Sequence, residues 1–249
     1  MSQLSGKTAV ITGGTTGIGF ATAREFRAQG ARVIITGSHP DSVADARAAL
    51  GDDVTGIVAD VSRVTDIRRQ SEEIRQAAGR IDILFVNAGI ARFAPVDQVD
   101  EATWDASFNV NVKGAFFTIQ QLLPLINEGG SIIINASINA SIGMPNSSVY
   151  AASKAAVISL ARTLSAELVA RGIRVNAISP GPVETPLFGK LGIPEAQLSE
   201  MAGAIQNQVP MRRFGKPEEI ARVATFLASP DSSFMLGSEV VVDGGMSTL

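Results

Sequence analysis

Short, continuous apolar runs separated by segments of helical length constrain this chain more than any other feature of its sequence. Thr8–Thr12, Arg32–Thr36, Ile81–Val86, Ile132–Ile134, Ile173–Ile178 and Val240–Val242 read as strands, and Val54–Ala59 as a weaker one. Several are apolar at consecutive positions, as expected for strands covered on both faces. The clearest intervening helix runs from about Ser148 to Arg171, with Val157, Leu160, Ala161, Leu164 and Leu168 on one apolar stripe. Another opens at Lys216-Pro217-Glu218-Glu219, where proline suits the first turn and the acids suit the helix dipole. Strand–helix alternation at this pitch implies right-handed crossovers and an α/β fold: a doubly wound parallel sheet of about seven strands with helices on both faces. No linker or repeat interrupts the pattern, so residues 1–249 are expected to form a single domain.

Composition removes several function classes. Hydrophobic residues make up 45% of the 249 and charged residues 18%, a balance that argues for a core and against disorder. A formal net charge of -3 supplies no broad positive field for nucleic acid or an anionic membrane. With no cysteine, disulfides and thiolate chemistry are excluded. His39 is the only histidine, so neither a His-rich metal site nor a Ser-His-Asp triad is expected. No apolar run is long enough to span a bilayer and Met1–Lys7 shows no leader pattern, so the expectation is a cytoplasmic protein.

Two local patterns carry chemistry. Thr12-Gly13-Gly14-Thr15-Thr16-Gly17-Ile18-Gly19 joins the first strand to the first helix. Glycine permits tight turning and close approach, and free amides at a helix start attract phosphate. A tight turn without a ligand is the plainer reading of such a segment; its place at the first βα junction favours a nucleotide. The second pattern is Tyr150-Ala151-Ala152-Ser153-Lys154. On a helix, Tyr150 and Lys154 share a face one turn apart. A neighbouring ammonium lowers the pKa of a phenol, making a general acid/base usable at ordinary pH.

Together these segments resemble the short-chain dehydrogenase/reductase family. T-G-x-x-x-G-I-G from Thr12 to Gly19, Asn87-Ala88-Gly89, Asn111-Val112-Lys113-Gly114, Ser137, Tyr150/Lys154, Pro180-Gly181 and Val242-Asp243-Gly244-Gly245 follow in family order from Lys7 to Gly245. The family's second asparagine ahead of Asn87 is here Val86. The resemblance implies a Rossmann-like fold and hydride transfer between nicotinamide and a carbonyl or carbinol carbon. In that chemistry Tyr150 exchanges the proton and Ser137 holds the reacting oxygen. Lys154 lowers the Tyr150 pKa and bonds the nicotinamide ribose, and Asn111 anchors a water linking Lys154 to solvent. For Ser137 a strand-end hydroxyl, and for Asn111 a purely structural role, stand beside these readings.

The resemblance also implies a cofactor path. Gly13, Thr15, Thr16, Gly17, Ile18 and Gly19 approach the pyrophosphate. Asp60 and Val61 meet the adenine, although Asp60 can equally cap a helix. Asn87, Ala88 and Gly89 run along the ribose, and Pro180, Gly181, Val183 and Thr185 line the nicotinamide. Gly37 stands where an NAD enzyme usually has an acid for the ribose 2′-hydroxyl. Ser38 and His39 could instead donate to a 2′-phosphate, so NADP(H) is favoured with NAD(H) the alternative. On that placement Gly37→Asp should move preference toward NAD.

Substrate contacts are expected from three loops after strands: Ile90–Val96, Ile138–Val149 and a long lid from Glu184 to Val209. Ile90, Phe93, Ile138, Met144, Val149, Leu187, Phe188, Leu191 and Met201 favour an apolar or aryl-alkyl ketone or alcohol, with Arg92 and Lys190 near the mouth. An acyl-carrier-protein ketoreductase, a sugar or polyol dehydrogenase and a non-catalytic dinucleotide-binding regulator are the alternatives. Ala151, Ala152, Ala155 and Ala156 invite helix packing between subunits, and the resemblance implies a homotetramer of dihedral symmetry.

Overall fold

A computed structural model describes residues 2–185 and 195–249. Seven strands form one wholly parallel sheet: β1 (Thr8–Thr12), β2 (Arg32–Gly37), β3 (Thr55–Val58), β4 (Ile81–Val86), β5 (Ile126–Asn135), β6 (Arg174–Pro180) and β7 (Glu239–Val242). Their order is β3-β2-β1-β4-β5-β6-β7. The chain winds outward from β1 to β3, then returns to β4 on the other side of β1. This reversal opens a crevice beyond the carboxyl ends of β1 and β4, where ligands of such sheets bind. The doubly wound architecture expected from the apolar runs is therefore the one found, and all seven expected strands are present.

Successive strand residues divide between two cores. Val10, Leu84, Val86, Ile132, Ile134 and Val175 face α3 (Val64–Ala78), α5 (Ala115–Leu122) and α6 (Ser148–Leu168). Ala9, Ile11, Ile83, Phe85, Ile133 and Ile178 face α1 (Gly17–Ala28), α2 (Pro40–Leu50) and α8 (Pro217–Ala228). The period-two alternation explains why each run is continuously apolar: both faces are covered. Fully buried Phe26 and Phe85 anchor the second core, each contributing about 1.5–3 kcal/mol of transfer free energy.

Two further helices are α4 (Glu101–Phe108) and α7 (Glu195–Gln208). Of the segment expected to be a long lid, Glu195–Gln208 is thus helical, while 186–194 lie outside the described residues. Arg174 at the start of β6 is buried, and among the described residues no carboxylate pairs with it. Its guanidinium donates to the carbonyls of Leu227, in the last turn of α8, and of Ser229 and Ser232 just beyond it, a helix terminus that favours a cation. That cap fixes α8 against β6, and Arg24 on α1 pairs with Glu218 on α8.

Candidate active site

The glycine turn is built by its neighbours. A Cβ at Gly19 would sit 2.1 Å from the Gly13 carbonyl oxygen, and one at Gly13 would sit 2.9 Å from the Ala88 Cα. Gly13 and Gly17 also have positive φ angles of 62° and 55°, which disfavour any other residue. The turn leads into α1 through Thr16, whose side chain makes no capping bond, and the first turn of α1 carries no acid. Its leading amides therefore suit an anion. The turn thus has the close backbone approach and free amides that a dinucleotide phosphate would need.

A line of hydrogen bonds crosses the strand ends at the switch point. The Asn87 Nδ2 donates to the carbonyls of Thr12 (3.1 Å) and Gly13 (3.0 Å). Thr12 Oγ1 accepts from the backbone amides of Asn87 and Ala88. Asn87 Oδ1 accepts from Asn135 Nδ2 at 2.9 Å, and the Asn135 carbonyl accepts from Lys154 Nζ at 2.7 Å. Thr12 was read from the sequence only as the head of the glycine motif, and Asn135 was not singled out. The signal for both is a polar residue ending an otherwise apolar buried strand.

Ser137, Tyr150 and Lys154 come together from the end of β5 and the first two turns of α6. The Ser137 hydroxyl is hydrogen-bonded to the Tyr150 phenol and also accepts from the Asn139 amide at 3.2 Å. Phe93 packs edge-on against the Tyr150 ring, centroids 5.6 Å apart. The Lys154 Nζ lies 5.9 Å from the same ring's centroid. Burial pushes the phenol above its ordinary pKa, and the Ser137 hydrogen bond pulls it back only in part. Burial brings the Lys154 ammonium down to about 8. The expected lowering of the Tyr150 pKa by Lys154 is thus not what the arrangement produces. Lys154 points its ammonium at a strand carbonyl, and desolvation dominates at the phenol.

Asn111 lies in a π-helical turn, Asn109–Gly114, between α4 and α5. Such turns are frequent at functional sites. Its Oδ1 accepts from the Ile90 amide at 2.8 Å, while Nδ2 donates to the Ile90 carbonyl at 2.9 Å and to Ser153 Oγ at 3.0 Å. Ser153 in turn donates to the Tyr150 carbonyl. Asn111 therefore ties the Ile90 loop to the helix bearing Tyr150. A Cβ at Gly89 would lie 3.3 Å from Asn111 Oδ1 and 3.4 Å from Lys154 Nζ, so both polar ends converge beside that glycine.

Other sequence candidates fall into place around this centre. A Cβ at Gly114 would lie 2.7 Å from the Val61 carbonyl, which locks the π turn against the loop after β3. Asp60 accepts from the Ser62 amide at 2.9 Å, a turn bond ahead of α3. A Cβ at Gly181 would lie 2.6 Å from the Asp243 Cβ, so the Pro180-Gly181 and Val242–Gly245 motifs pack against each other. Val183 bridges to Gly215 and is buried, while Thr185 is half-buried. Ser38 and His39 are exposed at the start of α2. Ile138 and Val149 are buried, Ile90 and Met144 half-buried and Phe93 exposed. Asn139 is buried too, its Nδ2 directed at the Met144 sulfur at 3.7 Å. Met201 belongs to α7, and Leu187, Phe188, Leu191 and Lys190 lie outside the described residues. Among the described residues no cluster of acids and histidines could hold a metal, and no helix is long and apolar enough to cross a membrane.

Comparison with known proteins agrees with this geometry. A family profile described as Enoyl-(Acyl carrier protein) reductase matches residues 13–247. An oxidoreductase of Sarocladium schorii, asL5, is 42% identical over 251 residues, covering 100% of this chain and 99% of its own. The 3-oxoacyl-[acyl-carrier-protein] reductase of Thermotoga maritima is 41% identical, covering 98% and 99%. A solved 3-ketoacyl-(acyl-carrier-protein) reductase from Brucella melitensis, complexed with NADH, superposes with a TM-score of 0.90 at 32% identity over 98% of this chain and 99% of that one. A short-chain type dehydrogenase/reductase from Mycobacterium marinum does so with a TM-score of 0.91 at 32% identity, covering 99% and 98%. With a parallel sheet wound about one crevice, and full-length likeness to such enzymes, the chain is an oxidoreductase of the short-chain dehydrogenase/reductase family.

Proposed function

We propose that this oxidoreductase interconverts a ketone and a secondary alcohol, with Tyr150 as general acid/base, Ser137 holding the reacting oxygen, and Lys154 and Asn111 completing the site. The convergence of Ser137 on the Tyr150 phenol, with Lys154 one turn along the same helix, carries the reading. When bound, the nicotinamide supplies or accepts the hydride. In reduction, Ser137 orients the carbonyl oxygen by a hydrogen bond, and Tyr150 hands its phenolic proton to the oxygen as negative charge develops there. Lys154, held by the Asn135 carbonyl, would bond the nicotinamide ribose of a bound dinucleotide and, while protonated, balance the charge left on Tyr150.

The cofactor-binding set named from the sequence, Gly13 to Gly19, Gly37 to His39, Asp60, Val61, Asn87 to Gly89, Pro180, Gly181, Val183 and Thr185, is retained, with NADP(H) preferred over NAD(H). Phe93, packed against the Tyr150 ring, together with the apolar Ile90 and Met144 named from the sequence, favours an apolar or aryl-alkyl substrate. We take the chain to work as one domain, as a homotetramer and in the cytoplasm. The acyl-carrier-protein substrates named for the Thermotoga and Brucella relatives support a second reading, reduction of a 3-oxoacyl thioester. Substrate-dependent oxidation of reduced nicotinamide tests the function: Tyr150→Phe should lower kcat by about 10²–10⁴-fold while leaving dinucleotide binding intact. Equal rates in wild type and variant would refute the assignment. The ratio of kcat/KM for 3-oxoacyl thioesters to that for aryl-alkyl ketones separates the two substrate readings.

A further inference from the structure

Residues 87–95 follow β4 without helix or strand of their own, yet they carry Phe93 to the Tyr150 ring. Backbone of that kind keeps its place through bonds to its neighbours. At one end the Asn111 side chain grips Ile90 twice: Oδ1 accepts from its amide at 2.8 Å and Nδ2 donates to its carbonyl at 2.9 Å. At the other end the Ala94 amide donates to the Asn146 carbonyl at 2.9 Å. Phe93 lies between these two anchors. The second Asn111 Nδ2 hydrogen goes to Ser153 Oγ at 3.0 Å. An amide nitrogen only donates, so the Ser153 oxygen accepts, and its own hydrogen is directed to the Tyr150 carbonyl at 2.7 Å. Ser153 is wholly buried, and both bonds lie out of solvent.

We propose that Ser153 is a positioning residue for the acid/base: by tying the Asn111-held loop to the Tyr150 carbonyl, it closes a ring of contacts that keeps Phe93 against the Tyr150 side chain. The ring runs from the Tyr150 phenol ring to Phe93, along the chain to Ile90, through Asn111 to Ser153, and back to the Tyr150 main chain. The proposal rests on the reading of Tyr150 as general acid/base. Asn111 is a firm link, because the π turn that carries it ends at Gly114, packed on the Val61 carbonyl. The start of α6 has no side-chain cap to share the load: Ser147 spends its hydroxyl on the Met144 carbonyl at 2.6 Å. Ser153 bonds the main chain of Tyr150 rather than its phenol, so it acts through the others. With the ring closed, Phe93 covers one side of the phenol and holds off water. With it open, Ile90 and Phe93 are free to shift relative to α6, and a donor displaced from the reacting oxygen transfers its proton more slowly.

Ser153→Ala, Phe93→Leu and the double variant test the ring, first without turnover and then with it. The ultraviolet band of tyrosinate reports Tyr150 alone, since the chain has no other tyrosine. Burial holds this phenol above its ordinary pKa, so admitting water beside it lowers the titration midpoint. Ser153→Ala and Phe93→Leu should each do so. In the Phe93→Leu background the further change Ser153→Ala should add little, because the ring is already open. In ketone reduction, with rates referred to the sites that bind reduced nicotinamide, Ser153→Ala should lower kcat about three- to tenfold. The ketone KM and the dinucleotide affinity should stay near wild type. A wild-type midpoint in Ser153→Ala, with only the melting temperature lowered, would make the residue merely structural and sink the proposal. Additive midpoint shifts in the double variant, or an unchanged kcat in Ser153→Ala, would sink it equally. A Tyr150→Phe variant as fast as wild type would instead overturn the acid/base reading, and the titrations would still decide whether the ring of contacts exists.

Discussion

Tyr150 is the only tyrosine in the chain, so its ionisation can be read without interference from any other phenol. In the ligand-free protein burial raises its pKa and the Ser137 hydrogen bond opposes the rise. Ser137→Ala removes that opposition. A hydrogen bond to a charged group contributes about 1.5–3 kcal/mol. At about 1.4 kcal/mol per pKa unit, the phenol should titrate roughly one to two units higher in the variant. Lys154 provides the contrast. An ammonium about 6 Å away would stabilise a phenolate by about 3 kcal/mol at an effective dielectric constant near 20. It can do so only while charged, and Lys154 loses its proton near 8, below the tyrosine titration. Lys154→Met should therefore move the Tyr150 titration by much less than Ser137→Ala. The assay is the ultraviolet difference band of tyrosinate against pH, with far-ultraviolet circular dichroism confirming that the fold persists. A Ser137→Ala titration that stays put or falls would refute the argument. A Lys154→Met shift larger than that of Ser137→Ala would show that the lysine stays charged.

The same buried lysine gives stability a definite pH dependence. Its folded pKa of about 8 lies below the ordinary 10.5, so between these values the unfolded chain binds more protons and stability rises with pH. Urea unfolding from about pH 8 to 10 should show a gain of up to about 1.4 kcal/mol per pH unit that is absent in Lys154→Met; parallel curves would reject it. Asn111→Ala strips the partners from the Ile90 amide, the Ile90 carbonyl and Ser153 Oγ. A loss of about 2–4 kcal/mol in chemical denaturation is expected, and a neutral variant would mean that water replaces the amide. Gly19→Ala places a methyl 2.1 Å from the Gly13 carbonyl oxygen and should destabilise the ligand-free protein by about 3 kcal/mol in thermal unfolding. Unchanged melting would show that the turn yields.

The sheet was legible because buried parallel strands leave a one-dimensional trace, apolar residues in unbroken runs. Ser137, Tyr150 and Lys154 were legible because they lie on one strand end and one helix, near in sequence and fixed in relative position. What escaped depends on contacts between distant segments. The Asn87–Asn135 and Gly181–Asp243 contacts join residues 48 and 62 positions apart, and no local pattern announces either. The helix Glu195–Gln208 was read as part of a loop, since Gly203 and its scattered polar residues blur the apolar stripe that marked Ser148–Arg171. Lys154 shows the limit most clearly. Helical spacing puts it on the face of Tyr150, but spacing along one helix says nothing of what lies across the gap. Across it stands the Asn135 carbonyl at 2.7 Å, which takes the ammonium, and desolvation is left to govern the phenol. Gly37 follows the same logic. The missing acid was visible in the sequence, whereas the threonine methyl 2.6 Å from where a Cβ would stand appears only once β1 and β2 lie side by side.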